Sequence, residues 1–346
     1  MPRLLDATTP EGLAAALPEA AARLAAGELV ALPTETVYGL GARADRAEAV
    51  AKIFAAKGRP SDHPLIVHVA DASGAEVFAK DGALPEVARR LIDAFWPGPL
   101  TVIVPRREGL AADAAGGQDT VGLRCPDHPV ARALLREAAG LGVPGVAAPS
   151  ANRFGRVSPT QAAHVVSEFE GIAGQEDLRV LDGGDCEVGI ESTIIDCSRD
   201  HGRPVLLRPG RLTMAEIEAA AGQALVARDG SAPRASGTLE AHYAPSAKVR
   251  LMTAAQIDAA LTVWGATGRA APCPPTLAVY SRSRRAAVPG VVLRRMPGGA
   301  AEAAHELFAA LRELDATGAA LIWVETPPDD PAWDGVRDRL QRAAAA

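Results

Sequence analysis

The stretch RAEAVAKIFAAKGRPSDHPLIVHVA, Arg46 to Ala70, reads as a helix, a cationic loop and a strand in immediate succession. From Arg46 to Ala56, Ala49, Val50, Ile53 and Phe54 recur at helical spacing and form one apolar stripe. Leu65 to Ala70 is an apolar run opened by Pro64, the pattern of a buried strand. Between them stand Lys57, Arg59 and His63, and a second histidine, His68, lies within the strand. A cationic loop that feeds a buried strand is a poor solvent-facing surface and a good anion pocket.

The same alternation extends in both directions, so the first ~225 residues are expected to form an α/β domain. Glu11–Ala26 reads as an alanine-rich helix ending at Gly27, and Leu29–Leu32 as a strand running into the turn Pro33-Thr34-Glu35-Thr36. Strands are expected at Leu100–Val104, Val121–Arg124, Val146–Ala148, Ser192–Cys197 and Val205–Arg208, with helices at Pro85–Phe95 and Val130–Ala139. Ser158-Pro159-Thr160-Gln161 carries a helix start, with serine as cap, proline at the first position and glutamine closing a capping box. After Ala227 the apolar periodicity stops. Residues 228–247, rich in Gly, Ser, Pro and charge, read as a linker between a domain of residues 1–227 and a smaller one of 248–346. The tail order is strand Lys248–Met252, helix Ala254–Trp264, strands Thr276–Tyr280 and Val291–Arg294, helix Ala301–Asp315, strand Ala319–Val324 and a helix from Trp333. It suggests a Rossmann-like sandwich in which Ala304, Leu307, Phe308, Leu311 and Leu314 share one helical face.

Composition narrows the class. A chain of 346 residues exceeds one typical domain, and 48% hydrophobic with 23% charged residues suits an ordinary globular protein with a sizeable core. A net charge of −6 and 4% aromatics give neither the basic footprint nor the stacking platforms of a nucleic-acid module, so the basic residues matter locally. Cys125, Cys186, Cys197 and Cys273 stand far apart and read as reduced thiols, not as a zinc site or disulfide frame. The start MPRLLDATTPEG lacks a signal-type apolar stretch, and no run has the length of a membrane span, so a cytoplasmic protein is expected.

The familiar nucleotide signatures are missing: there is no G-x-x-x-x-G-K-[ST] loop, and Gly39-Leu40-Gly41 does not continue into G-x-G-x-x-G. Lys57 and Arg59 can neutralise a triphosphate or simply close a helix as a solvated basic loop, and spacing alone favours the loop. His68 shares a strand face with Ile66 and Ala70, where a lone histidine is more often structural. Arg124, at a strand end beside Cys125-Pro126, is either a carboxylate clamp or a surface arginine, and Val121, Gly122 and Leu123 leave it little polar surface. Thr36 can serve the turn with Thr34, and Pro149-Ser150-Ala151-Asn152 can be an ordinary turn.

Taken in order, PTETVYGLG (Pro33–Gly41), KGRPSDHPLIVHV (Lys57–Val69), GLRCP (Gly122–Pro126), PSAN (Pro149–Asn152) and LRPG (Leu207–Gly210) resemble the threonylcarbamoyl-AMP synthases of the YrdC-like family. A family-like linker, SGTLEAHYAP (Ser236–Pro245), follows, with Ala235-Ser236-Gly237-Thr238 where a proline often precedes the glycine. The resemblance implies a YrdC-like twisted mixed sheet with flanking helices plus a Rossmann-like C-terminal domain. It implies a synthase that joins L-threonine, bicarbonate or CO2 and ATP into threonylcarbamoyl-AMP and pyrophosphate, with Mg2+ accompanying ATP. The product would pass to the machinery that modifies tRNA next to the anticodon.

By the same resemblance ATP contacts fall on Lys57, Arg59, His63, Thr120, Ser150, Asn152, Ser158, Arg208 and Tyr243, the last reaching back from the linker. Lys57 and Arg59 would also stabilise charge during the reaction. Threonine contacts fall on Thr36, His68, Arg124, Ala148 and Ser192. No residue stands out as a general base, and no acidic cluster marks a metal site. Two other readings compete: an RNA-binding module, which the acidic total opposes, and carbamoyl transfer through carbamoyl-AMP. Relatives of the latter kind carry paired-cysteine zinc segments that are missing from this sequence.

Overall fold

The computed structural model describes residues 1–199, 203–266, 277–284, 286 and 288–346; Cys273 and Thr276 lie outside them. The chain divides into two units, one of residues 1–154 and 158–238, the other of residues 155–157 and 239–346.

In the first unit ten strands form one mixed sheet: β1 (Arg3–Asp6), β2 (Val30–Leu32), β3 (Gly39–Arg43), β4 (Ile66–His68), β5 (Leu100–Pro105), β6 (Thr120–Arg124), β7 (Val146–Ala147), β8 (Arg179–Asp182), β9 (Thr193–Asp196) and β10 (Val205–Arg208). Their spatial order is β1-β8-β2-β3-β7-β4-β6-β5-β9-β10. Among the described residues the α-helices α1 (Pro10–Ala25), α2 (Ala47–Lys57), α3 (Ala72–Phe78), α4 (Glu86–Phe95), α5 (Pro129–Gly140), α6 (Ala162–Phe169) and α7 (Met214–Ala221) accompany them. Local chemistry starts and stops several of them. Thr9 caps α1 by accepting the Gly12 N–H, and Thr213 with Glu216 forms a full capping box on α7. Gly58 ends α2 at φ +60°, a left-handed turn that a side chain resists, so Lys57 closes the helix and Arg59 starts the loop.

Two apolar layers hold the sheet. Helices α1 and α5 cover one face through Leu24, Leu134 and Leu135 against Val30, Leu32 and Leu181. Helices α2, α4, α6 and α7 cover the other with Ile53, Leu91, Val165 and Ile217 against Leu40, Val67, Val102 and Leu123. Gly41 is tight for this reason: a methyl there would come within 2.9 Å of Leu32 and Val146 side chains, so its neighbour Gly39 opens no dinucleotide loop but belongs to a close-packed strand. Alternation then sends Ile66, Ile103 and Ile194 of β4, β5 and β9 away from the helical layer, into a smaller cluster with Val205 and Leu207. Ala232 and Ala235 pack on that cluster.

One expected helix start is corrected. Ser158 caps nothing, because α6 begins at Ala162 behind Gln161. The backbone before it is held extended by other segments: the Pro159 carbonyl accepts the Tyr38 N–H and the Thr160 carbonyl accepts the Cys186 N–H. Cys125, Cys186 and Cys197 are free and buried.

The second unit has four parallel strands, β11 (Lys248–Met252), β12 (Leu277–Ser281), β13 (Val291–Arg295) and β14 (Leu321–Glu325), in the order β11-β14-β12-β13. Helices α8 (Ala254–Ala266), α9 (Ala300–Ala316) and α10 (Asp334–Ala344) complete it. Helix α9 buries Ala304, Leu307, Phe308, Leu311 and Leu314, the face that periodicity marks. At the carboxyl edge of the sheet Glu325 accepts hydrogen bonds from Ser281, Arg282 and Ser283. Among the described residues no helix is long and apolar enough to cross a membrane.

Candidate active site

The face of β4, β6, β5 and β9 that turns away from the helices has an apolar end and a polar end. Register sets this pattern. Ile66 pairs with Gly122 and His68 with Arg124, while Ile103 pairs with Gly122 and Thr101 with Ile194. Ile66, Ile103 and Ile194 thus form one end, and His68, Arg124, Thr101 and Ser192 the other.

At the polar end the groups bond one another. Arg124 and His68 are buried side by side at 4% and 3% exposure. The Nη2 of Arg124 donates to Glu35 Oε1 at 2.6 Å, and its Nε makes a long contact, 3.4 Å, to the Gly98 carbonyl. Burial, helped by the Arg124 charge, pushes His68 down to about 3, so its ring is neutral, and among the described residues Nδ1 has no hydrogen-bond partner. Thr36 lies beside Glu35, its hydroxyl 2.9 Å from that of Thr34. Thr34 donates its one hydroxyl hydrogen to the Val37 carbonyl at 2.6 Å, so Thr36 is the donor between the two and turns its lone pairs outward. Ser192 Oγ stands 2.8 Å from Thr101 Oγ1 and accepts from Arg208 Nη2 at 3.1 Å; Arg208 also donates to the Ser192 carbonyl.

Lys57 is buried at the end of α2, where Nζ donates to the Ser150 carbonyl at 2.6 Å and to the Asn152 carbonyl. An ammonium has three donors, and among the described residues these carbonyls take two of them. Burial lowers the Lys57 pKa well below its usual value, with Arg59 adding to the effect and Glu168 and Glu191 opposing it. Glu191 accepts from Ser158 Oγ at 2.5 Å. Arg59 donates to the Pro64 carbonyl and lies over the Phe154 ring, against whose edge His63 also packs. Burial, then Arg59, lowers the His63 pKa. The strand tip carrying Ala148 is fixed by an Ala148 N–H bond to the Ile66 carbonyl, and Ser150 bridges to Gly39.

A narrow pocket lies on the apolar end, lined among others by Ile66, Thr101, Ile103, Thr120, Gly122 and Ile194. Residues Arg234 to Ser236 form its outer wall. Gln118 pairs with the Arg234 backbone through both its amide groups, Arg208 Nη1 donates to the Ser236 carbonyl, and the Arg234 guanidinium reaches Asp62. The end of the first unit is therefore a strap across its own sheet.

Of the fourteen residues that the resemblance marks, thirteen fall in the first unit on these connected tips. Tyr243 belongs to the second unit, where it is buried between His242, Phe308 and Arg339 with its backbone at φ +62°. Sequence reasoning missed Glu35, Thr101 and Glu191. A threonine on the Ile103 face of an otherwise apolar strand was a signal for Thr101, but nothing local distinguished the two glutamates from turn residues.

Comparison with known proteins agrees with this architecture. Residues 22–210 match the family model described as "Telomere recombination", and residues 212–345 match that described as "Threonylcarbamoyl-AMP synthase, C-terminal domain". The threonylcarbamoyl-AMP synthase of Bacillus subtilis is 40% identical over 337 residues, 94% of this chain and 92% of that protein. The synthase of Pyrococcus abyssi is 38% identical over 329 residues, 92% and 91% of the two chains. Among solved structures, P. abyssi Sua5 complexed with L-threonine aligns over 99% of this chain and 97% of its own, with a TM-score of 0.84 and 35% identity. The chain belongs to the threonylcarbamoyl-AMP synthase family, in its two-domain form.

Proposed function

We propose that the first unit joins L-threonine, bicarbonate or CO2 and ATP into threonylcarbamoyl-AMP with release of pyrophosphate. The observations that support this most are three buried polar clusters on one unit: Lys57 with the Ser150 and Asn152 carbonyls, Arg208 with Ser192 and Thr101, and the Arg124–Glu35 pair. The first two offer cations for phosphates, the third a guanidinium for a carboxylate. In this reading the threonine carboxylate meets Arg124, with His68, Thr36, Ser192 and the Ala148 backbone around it. The triphosphate meets Lys57, Arg59 and Arg208, with His63, Thr120, Ser150, Asn152 and Ser158 around it.

The threonine amine takes up CO2 as a carbamate, and a carbamate oxygen displaces pyrophosphate from the α-phosphorus of ATP. Such a displacement asks for alignment and charge neutralisation more than for covalent help. Lys57 and Arg59 supply neutralisation from buried positions, where their charges are weakly screened. Mg2+ would accompany ATP and would add charge neutralisation at the phosphates. Among the described residues no group of three or more His, Cys, Asp or Glu side chains is arranged for a metal, so phosphates and water would hold the ion. The adenylate then serves tRNA modification by a downstream transferase in the cytoplasm.

The test is mass-spectrometric detection of threonylcarbamoyl-AMP from the full chain with ATP, threonine and bicarbonate, together with pyrophosphate release. Omission of threonine is expected to abolish both signals. Pyrophosphate release that ignores threonine refutes the assignment.

A further inference from the structure

Glu35 stands between two threonines in the turn between β2 and β3, yet its side chain is only 5% exposed. A carboxylate reaches such burial when it is paired, and Glu35 is paired twice. Oε1 accepts from Arg124 Nη2 at 2.6 Å and Oε2 accepts the Asp127 N–H at 3.0 Å. Its carbonyl accepts the Val188 N–H at 2.7 Å. One residue thereby ties the β2–β3 turn to the end of β6 and to the segment before β9.

The pairing decides which part of Arg124 remains available. A guanidinium is a planar fork with a side edge, formed by Nε and one N–H of Nη2, and an end formed by Nη1 and the other N–H of Nη2. Gly98 and Glu35 take Nε and Nη2, the side edge. Nη1 has no hydrogen-bond partner among the described residues, so two parallel donors at the end remain for a carboxylate.

We propose that Glu35 is a positioning residue for the amino-acid substrate: it fixes the rotation of Arg124 so that the end of the fork meets the substrate carboxylate. This rests on the reading that threonine binds at Arg124. Glu35 acts through Arg124 and touches no substrate itself.

The alternative is that Glu35 supplies only a balancing charge, and side-chain length separates the two ideas. Glu35→Gln removes the charge but keeps an acceptor oxygen at the same reach, whereas Glu35→Asp keeps the charge and withdraws the acceptor by one methylene. Positioning through Arg124 is expected to weaken threonine binding about tenfold in the Asp variant and no more than about threefold in the Gln variant, the scale of one charge-assisted hydrogen bond. The KM for ATP is expected to stay within about twofold in both, because Arg124 serves the carboxylate. Threonine titration calorimetry and steady-state kinetics on the full chain, with melting curves for each variant, read this order. An Asp variant closer to wild type than the Gln variant overturns the proposal, as does an equal rise in both Michaelis constants. Should the Asp variant not fold, Glu35→Ala is compared with Gln instead, and equal losses overturn it. A wild-type protein without threonine-dependent pyrophosphate release counts against the reaction, while the calorimetric order decides the role of Glu35 separately.

Discussion

Gly122→Ala separates the pocket from the fold, because its effects on stability and on activity have opposite signs. Gly122 sits mid-strand in β6 and lines the pocket floor. A methyl built there lies 3.5 Å from Thr101, 3.7 Å from Ile66 and 3.8 Å from Ile103 side-chain carbons, ordinary contacts that require no shift. The protein should gain about 0.5–1 kcal/mol from the stiffer unfolded chain, a rise in Tm of about 2 °C. The same methyl projects into the pocket that Thr120 of the proposed ATP contacts also lines, and a substrate group entering there would meet it. Overpacking costs about 1–3 kcal/mol, so kcat/KM for the complete reaction should fall roughly tenfold. Gly122→Val carries two more carbons into the same space, should lose the stability gain and should lower activity further. Differential scanning calorimetry and a coupled pyrophosphate assay read both effects. An alanine variant that melts higher and keeps kcat/KM within about twofold would falsify the idea that substrate occupies this space.

Two further outcomes follow from the charges and the strap. Burial lowers the Lys57 pKa below its usual 10.5, and phosphates restore the charged form. ATP binding is therefore expected to take up a proton, and affinity to fall as pH rises between the folded value and the value in the complex. Titration calorimetry in buffers of different ionisation enthalpy measures this; release instead of uptake, or the same uptake in Lys57→Met, refutes it. Gln118→Ala removes two bonds to the strap at Arg234, each worth about 1 kcal/mol, so tryptic cleavage after Arg234 should accelerate roughly tenfold or more. An unchanged cleavage rate shows that Gln118 does not hold the strap down.

How far the sequence reveals the fold depends on whether local and distant forces agree. The helix, loop and strand of Arg46–Ala70 were legible because stripe spacing, a glycine stop and an apolar run all point one way. Strand β3 was not, since Gly-Leu-Gly-Ala-Arg has no β-branched residue; pairing with β2 and β7 on its two edges makes it a strand. Strand β8 is similar, short in apolar residues and defined by parallel pairing with β1 and β2. Ser158 shows the opposite failure: every local helix signal is present, but Tyr38 and Cys186 claim its neighbours' carbonyls. Glu35 became a site residue only through Arg124, 89 positions away in sequence. The resemblance found the residues expected to touch substrate, whereas partners that act through them surfaced only with three-dimensional packing.

The polar end of the site is incomplete as a protein interior. Among the described residues His68 keeps Nδ1 buried and unpartnered, and beside it the Arg124 Nη1 has no hydrogen-bond partner. A buried donor or acceptor left unmade costs about 1–3 kcal/mol, more where charge is involved, and folding alone would favour apolar residues here. In the proposed reading a carboxylate with a neighbouring nitrogen meets both groups: one bond to Arg124, one contact to His68. In the proposed reading, pairing these groups contributes part of the ligand's affinity. Because Glu35 and the sheet register fix these groups beforehand, little ordering remains at the moment of binding. Specificity follows from the same arrangement, since a ligand lacking the carboxylate leaves the Arg124 end unsatisfied and forfeits that gain.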